Sequence, residues 1–170
     1  MSGSAFERLK VLVVEDNAHM RSLLRSLLGS VGMRDIVEAN DGDEALILLR
    51  NRKCDLIITD LQMKPMDGLA FTREIRTAQN SPNPFVPIVM MSGHTEKHRV
   101  QAARDAGITE FIAKPITAQS LFARIAEIVD RPRPFVRCPG YFGPDRRRKA
   151  VEDYIGPWRR HDDFKDVEVR

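Results

Sequence analysis

The sequence predicts an α/β protein, a doubly wound five-stranded parallel sheet with helices on both faces. Two observations carry this. Short runs rich in Val, Ile and Leu alternate five times with segments whose apolar residues recur at helical spacing. The strand runs are apolar on successive residues, as befits strands buried on both sides, and right-handed helical crossovers between parallel strands supply that burial.

Lys10 to Val14 (KVLVV) reads as the first buried strand and ends on the acidic pair Glu15-Asp16. Met20, Leu23, Leu24, Leu27, Leu28 and Val31 then recur at i, i+3, i+4, i+7, i+8 and i+11, an amphipathic helix closed by Gly32. Ile36 to Ala39 is the second strand. Asp41 is an N-cap with Glu44 at the third helical position, and Ala45, Leu46, Leu48 and Leu49 face inward. Leu56 to Thr59 is the third strand, delivering Asp60 at its tip. Asp67-Gly68 starts a helix that runs to about Thr77, and Pro82, Asn83 and Pro84 mark a loop. Pro87 to Met91 is the fourth strand, ending at Ser92-Gly93. A helix from Glu96 to Ala106 stops at Gly107. Ile108 to Ala113 is the fifth strand, ending at Lys114-Pro115, and Thr117 caps a last helix with Leu121, Phe122, Ile125, Ile128 and Val129 inward.

The chain has 170 residues, enough for one domain and an extension, and 42% hydrophobic with 30% charged residues suits a globular core. No apolar stretch approaches the roughly 20 residues of a membrane span, and Met1 to Ser4 lacks the regions of a signal peptide, so a cytoplasmic location is the expectation. Cys54 and Cys138 form neither a disulfide framework nor a metal-ligand spacing; Cys54 opens an apolar run as a buried thiol. Residues 1–130 hold 16 Lys and Arg against 17 Asp and Glu, whereas residues 131–170 hold 11 against 7, so the net charge of +3 belongs to the tail.

Open parallel sheets bind ligands beyond the carboxyl ends of their strands. At those ends stand Glu15 and Asp16, Asp60, Ser92 and Lys114. Each singly has a plain reading as a cap, a turn residue or a solvated charge; their joint arrival at one edge does not. Three crowded carboxylates repel one another unless a cation sits among them, and hard oxygen ligands suit Mg²⁺. A carboxylate so neutralised can attack phosphorus, with Lys114 and the metal countering charge on the transferring group and the Ser92 hydroxyl donating to it beside the small Gly93. The chain has no nucleotide-binding loop, which argues against direct use of ATP, and its four histidines lack a supporting kinase motif.

With "VLVVEDNAHMR", "LIITDLQMKPMDG", "PIVMMSG" and "FIAKP", residues 8–130 resemble the receiver domain of two-component response regulators, most of all the stand-alone chemotaxis type. The resemblance implies a flavodoxin-like sheet of order 2-1-3-4-5. It implies a signalling protein, not an enzyme acting on outside substrates, that takes a phosphoryl group from a sensor histidine kinase or histidine phosphotransfer protein and catalyses only its own transfer and autodephosphorylation. Asp60 would be the phosphoacceptor. Glu15, Asp16, Asp60 and the Gln62 backbone carbonyl would hold Mg²⁺, and Ser92 and Lys114 would contact the phosphoryl group. Ser92 and Phe111 would form the switch that remodels a protein-binding surface for a downstream target, and Lys114-Pro115 matches a bond that is usually cis. Three residues depart from the pattern. Glu15 stands where Asp is commoner, Phe111 replaces the frequent Tyr and cannot make a phenolic hydrogen bond, and the proline after Asp60 is displaced by one to Pro65. Gln62 and His94 fall where the family tunes dephosphorylation.

Residues 131–170 are short for a separate effector domain. Arg131-Pro132-Arg133-Pro134 reads as extended, Gly143-Pro144-Asp145 as a turn and N-cap, and Arg146 to Ile155 as a short helix. Arg146, Arg147 and Arg148 would oppose that helix's dipole, so either the helix does not form alone or they meet an acidic surface. With Phe135, Tyr141, Phe142, Tyr154 and Trp158, the extension suits docking on a protein surface, in cis, in a homodimer or on a partner. A solvated tail and a basic, aromatic track for single-stranded nucleic acid stay open, although the run is short for the latter. A phosphorylation-independent scaffold with a relic site is a further alternative, opposed by the completeness of the acid, Asp, Ser and Lys set.

Overall fold

The structure is a computed structural model that describes residues 6–146 and the backbone of Glu168–Val169. Five strands and five helices alternate: β1 (Lys10–Val14), α1 (Ala18–Ser30), β2 (Asp35–Ala39), α2 (Gly42–Asn51), β3 (Leu56–Asp60), α3 (Gly68–Thr77), β4 (Ile88–Ser92), α4 (Lys97–Ala106), β5 (Glu110–Ala113) and α5 (Ala118–Asp130). All strand pairs are parallel and the order is β2-β1-β3-β4-β5, as predicted. Four helices start where a short polar side chain takes an orphaned amide: Asn17, Asp41, Asp67 and Thr117 accept from Met20, Glu44, Ala70 and Ser120.

Side-chain parity along the strands splits the interior in two. Leu12, Val14, Ile57, Ile88 and Met90 point to one face, where Ala45 and Leu49 of α2, Phe71 and Ile75 of α3 and Ala103 of α4 meet them. Val11, Val13, Leu56, Ile58, Val89, Met91 and Ile112 point to the other, under Leu24 and Leu28 of α1 and Leu121 and Ile125 of α5. Leu23 is a correction: expected inward, it is 43% exposed, because Leu24 and Leu28 centre the buried stripe and Leu23 lies about 100° round the helix from Leu24. Cys54 and Cys138 are not joined in a disulfide, and burial pushes the Cys54 thiol up to about 11. No described helix is long and apolar enough to cross a membrane.

The extension departs from its expected form. Phe135–Cys138 (β6) and Tyr141–Pro144 (β7) make an antiparallel hairpin, and Glu168–Val169 (β8) pairs with the free edge of β6. Pro139 and Gly140, the latter at φ 78°, occupy its corner, a combination that suits a type II turn. Gly143 and Pro144, expected to turn, lie instead inside β7. The helix expected from Arg146 to Ile155 lies outside the described residues beyond Arg146. β7 packs on α3 and α4. Phe135 and Phe142 meet Phe85 edge-on at 5.4 and 5.2 Å, and Arg76 of α3, 2% exposed, lies 5.0 Å from the Phe135 ring. Arg76 donates to the Gly107 and Pro84 carbonyls, at 2.9 and 2.8 Å. Burial pushes its guanidinium down to about 9, still a cation at neutral pH.

Candidate functional site

Parallel registration brings the ends of β1, β3, β4 and β5 to one edge. Asp60 pairs in register with Met91, Ser92 with Ala113, and the Lys114 amide donates to the Ser92 carbonyl at 2.8 Å. There the Lys114 Nζ stands 3.0 Å from Asp60 Oδ1 and 3.1 Å from Glu15 Oε2. Glu15 and Asp60 are buried and Asp16 is exposed at the rim. Carboxylate oxygens of the three acids lie within 4.8 Å of one another. Of the eight singled-out residues, the edge therefore gathers Glu15, Asp16, Asp60, Ser92 and Lys114.

The remaining three sit around it. Gln62 follows in the β3–α3 loop with its side chain exposed, and Phe111 on β5 is half-buried against the core face of α2, α3 and α4. Pro115 follows a cis Lys114-Pro115 bond, and Lys64-Pro65 is cis as well. Gly68 brings α3 against the site, since a Cβ there would overlap the Asp60 carbonyl oxygen. Gly93 works differently from its sequence reading: a Cβ would meet nothing within 4 Å, so space near Ser92 does not depend on glycine. The buried Ser92 hydroxyl is turned to its own loop, accepting from the His94 amide at 3.0 Å and donating to the His94 carbonyl at 3.1 Å.

Burial raises the Asp60 carboxyl above its ordinary range, Lys114 opposes this by hydrogen bond and charge, and Asp16 adds repulsion. Burial also raises Glu15, as does the charge of Asp60, against the pull of Lys114. For Lys114 burial works downward, but hydrogen bonds and charges from Asp60 and Glu15 outweigh it and the ammonium is raised. The lysine is thus held charged between two carboxylates that crowd each other. The donor set fits Mg²⁺: hard carboxylate oxygens, close together, one of them open to water.

One residue the sequence reading passed over is Arg21, on α1. Its Nη1 donates to the Glu15 carbonyl at 2.7 Å and its Nε lies 3.4 Å from Glu38 of β2, which also pairs with Arg25. It ties the peptide between the two acids to the neighbouring strand. Nothing in the sequence marked it, because its partner is a backbone carbonyl two residues before the helix cap Asn17.

The sequence model of the response regulator receiver domain matches residues 11–126. The chemotaxis protein CheY of Pseudomonas aeruginosa is 31% identical over 123 residues, spanning 72% of this chain and 98% of that protein. Vibrio cholerae CheY4 superposes with a TM-score of 0.65 at 29% identity, covering 71% of this chain and 98% of its own. The receiver domain of the Pseudomonas aeruginosa sensor histidine kinase PA1611, which holds a magnesium ion in its active-site cleft, gives 0.62 at 29% identity, covering 71% and 96%. A match that runs from β1 into α5, over most of the chain and nearly the whole of these relatives, makes this chain a member of the response regulator receiver domain family of two-component signalling.

Proposed function

We propose that this protein is a stand-alone response regulator that accepts a phosphoryl group on Asp60 and passes the signal on by changing its protein-binding surface. The observation that carries the reading is the Asp60 carboxylate, fixed at a strand tip 3.0 Å from Lys114 and crowded by Glu15 and Asp16. Its donor is a phosphohistidine of a sensor kinase or phosphotransfer protein, in the cytoplasm. An Asp60 oxygen attacks phosphorus, the P–O bond forms as the P–N bond breaks, and the electron pair leaves on the imidazole nitrogen.

Each side chain has a part in that step. Lys114 keeps Asp60 ionised and can shift its ammonium to a phosphoryl oxygen. Ser92 can leave the His94 loop and donate its hydroxyl to the same group, with Phe111 following as the packing element of the switch. Glu15, Asp16, Asp60 and the Gln62 backbone carbonyl would hold Mg²⁺. Bound there, the metal supplies positive charge that lets the carboxylates coexist and offsets charge on the transferring oxygens.

Incubation of the full chain with acetyl phosphate and Mg²⁺, read by intact mass, tests this. One phosphoryl adduct is expected, absent from Asp60→Ala and absent without metal. An adduct that survives Asp60→Ala overturns the assignment. The nucleic-acid reading of the extension gains no support from its described part, where Arg146 pairs with Asp105 at 2.7 Å and Arg137 lies 4.2 Å over the Phe142 ring.

A further inference from the structure

Helix α4 is the least anchored helix of the sheet. Its buried residues are both alanines, Ala103 and Ala106, whereas each of the other four buries leucine, isoleucine or phenylalanine. It is also the one helix of the five without a side-chain cap at its N-terminus. Apolar burial scales with the area removed from water, so two alanines hold a ten-residue helix weakly. Besides its packing along α3, it is held at its two ends.

The N-terminal end runs straight out of the Ser92 loop, where the Ser92 hydroxyl is engaged in both directions with His94. The C-terminal end is gripped by the hairpin. Gly107, at φ 101°, and Gly143 bring the two backbones together: a Cβ on Gly107 would lie 2.8 Å from the Phe142 carbonyl oxygen, and one on Gly143 would lie 2.9 Å from the Gly107 Cα. Arg146 binds Asp105 of α4 at 2.7 Å while its guanidinium carbon sits 4.0 Å over the Tyr141 ring. Beneath the hairpin, Arg76 ties α3 to the Gly107 carbonyl at 2.9 Å. The ten residues of α4 span about 15 Å, short enough to transmit a displacement as a rigid piece.

We propose that the hairpin of residues 135–144, with Arg146, is a clasp on α4 that regulates the phosphoryl site from the opposite end of the helix; this rests on Asp60 being the phosphoacceptor. The clasped arrangement is the one in which Ser92 is bound to its own loop. It therefore favours the unphosphorylated state, and turning Ser92 toward a phosphoryl group pulls α4 against the clasp. Coupling of this kind is reciprocal: a phosphoryl group on Asp60 loosens the hairpin by the same free energy with which the hairpin opposes it.

Beryllofluoride with Mg²⁺ serves as the phosphoryl mimic, and the full-length chain is compared with Asp105→Arg, Arg146→Asp and the charge-swapped double variant. Either single change is expected to raise beryllofluoride affinity about threefold to fivefold, the size of one partly exposed ion pair, and the double to restore it. In the unaltered chain, backbone hydrogen exchange across 135–144 is expected to rise when beryllofluoride binds. Single variants that loosen the hairpin by exchange yet bind beryllofluoride as the unaltered chain does overturn the clasp, as does hairpin exchange indifferent to the mimic. If a charge reversal unfolds the chain, Arg146→Ala is read by the same two measurements. No beryllofluoride binding by the unaltered chain, together with no acetyl phosphate adduct, overturns the phosphoacceptor reading itself.

Discussion

At Asp60 two physical demands conflict. Burial fixes the carboxylate at the strand tip but raises it, and the remedy is the Lys114 ammonium at 3.0 Å. A carboxyl raised on folding contributes its stability below the ordinary carboxylate range and loses it as pH rises through the raised value. Metal-free Asp60→Asn is therefore expected to match the unaltered chain in thermal unfolding at low pH and to melt higher at neutral pH, with Mg²⁺ narrowing the gap. A lower melting temperature for the variant at neutral pH would mean that Lys114 outweighs burial. Arg21 poses a separate question, because it touches the peptide of Glu15 and not its carboxylate. Arg21→Met should weaken Mg²⁺ binding about tenfold by calorimetry, in the range for residues that orient metal ligands. Unchanged affinity would leave Arg21 a structural link to Glu38. The five clustered residues were legible because strand ends can be read from sequence and chemistry sorts what stands there. Arg21 was not, because its partner is a carbonyl, which every residue has.

At the scale of elements, helices and strands follow from periodicity and caps, and their faces from parity. Orientation round an element is less legible, as Leu23 shows: the stripe of α1 contains it by spacing, but the buried face is centred on Leu24 and Leu28 and leaves Leu23 in water. Gly68 is where an element meets the site. It begins α3 against the Asp60 carbonyl, and its amide donates to the Leu61 carbonyl at 2.9 Å. Gly68→Ala is expected to lower the free energy of unfolding by about 1–3 kcal/mol, the usual range for overpacking, measured by urea titration. The same variant should slow acetyl phosphate labelling, since the displaced backbone is that of Asp60. Labelling at the unaltered rate would show that the loop absorbs the methyl without moving the carboxylate.

For the whole molecule, the boundary of the folded unit is at issue. The family match ends at residue 126 and the sequence suggests a division near 130, yet Phe135, Val136 and Phe142 are buried, the two phenylalanines against Phe85 of the main body. Truncation after residue 130 would uncover Arg76 and Phe85. It is expected to lower unfolding stability by about 2–4 kcal/mol, less than the transfer value of three apolar side chains because ordering the hairpin opposes it. A chain ending at residue 146 should keep most of the difference. Equal stability of the shorter chain and the full one in denaturant titration would make the hairpin a passive attachment.

The sequence by itself determined the five βα units, the apolar strands, the helix caps and the residues at the strand ends. Each of these is written in local spacing or residue type, and a parallel sheet has few ways to join them. Tertiary structure decided what depends on residues far apart: which carboxylates Lys114 touches, which leucine of α1 stays in water, and where the hairpin lies. The turn at Pro139-Gly140 is a local signal, but its landing place is not. That place is made by Arg76, Phe85, Asp105 and Gly107, whose juxtaposition exists only once α3 and α4 have packed on the sheet.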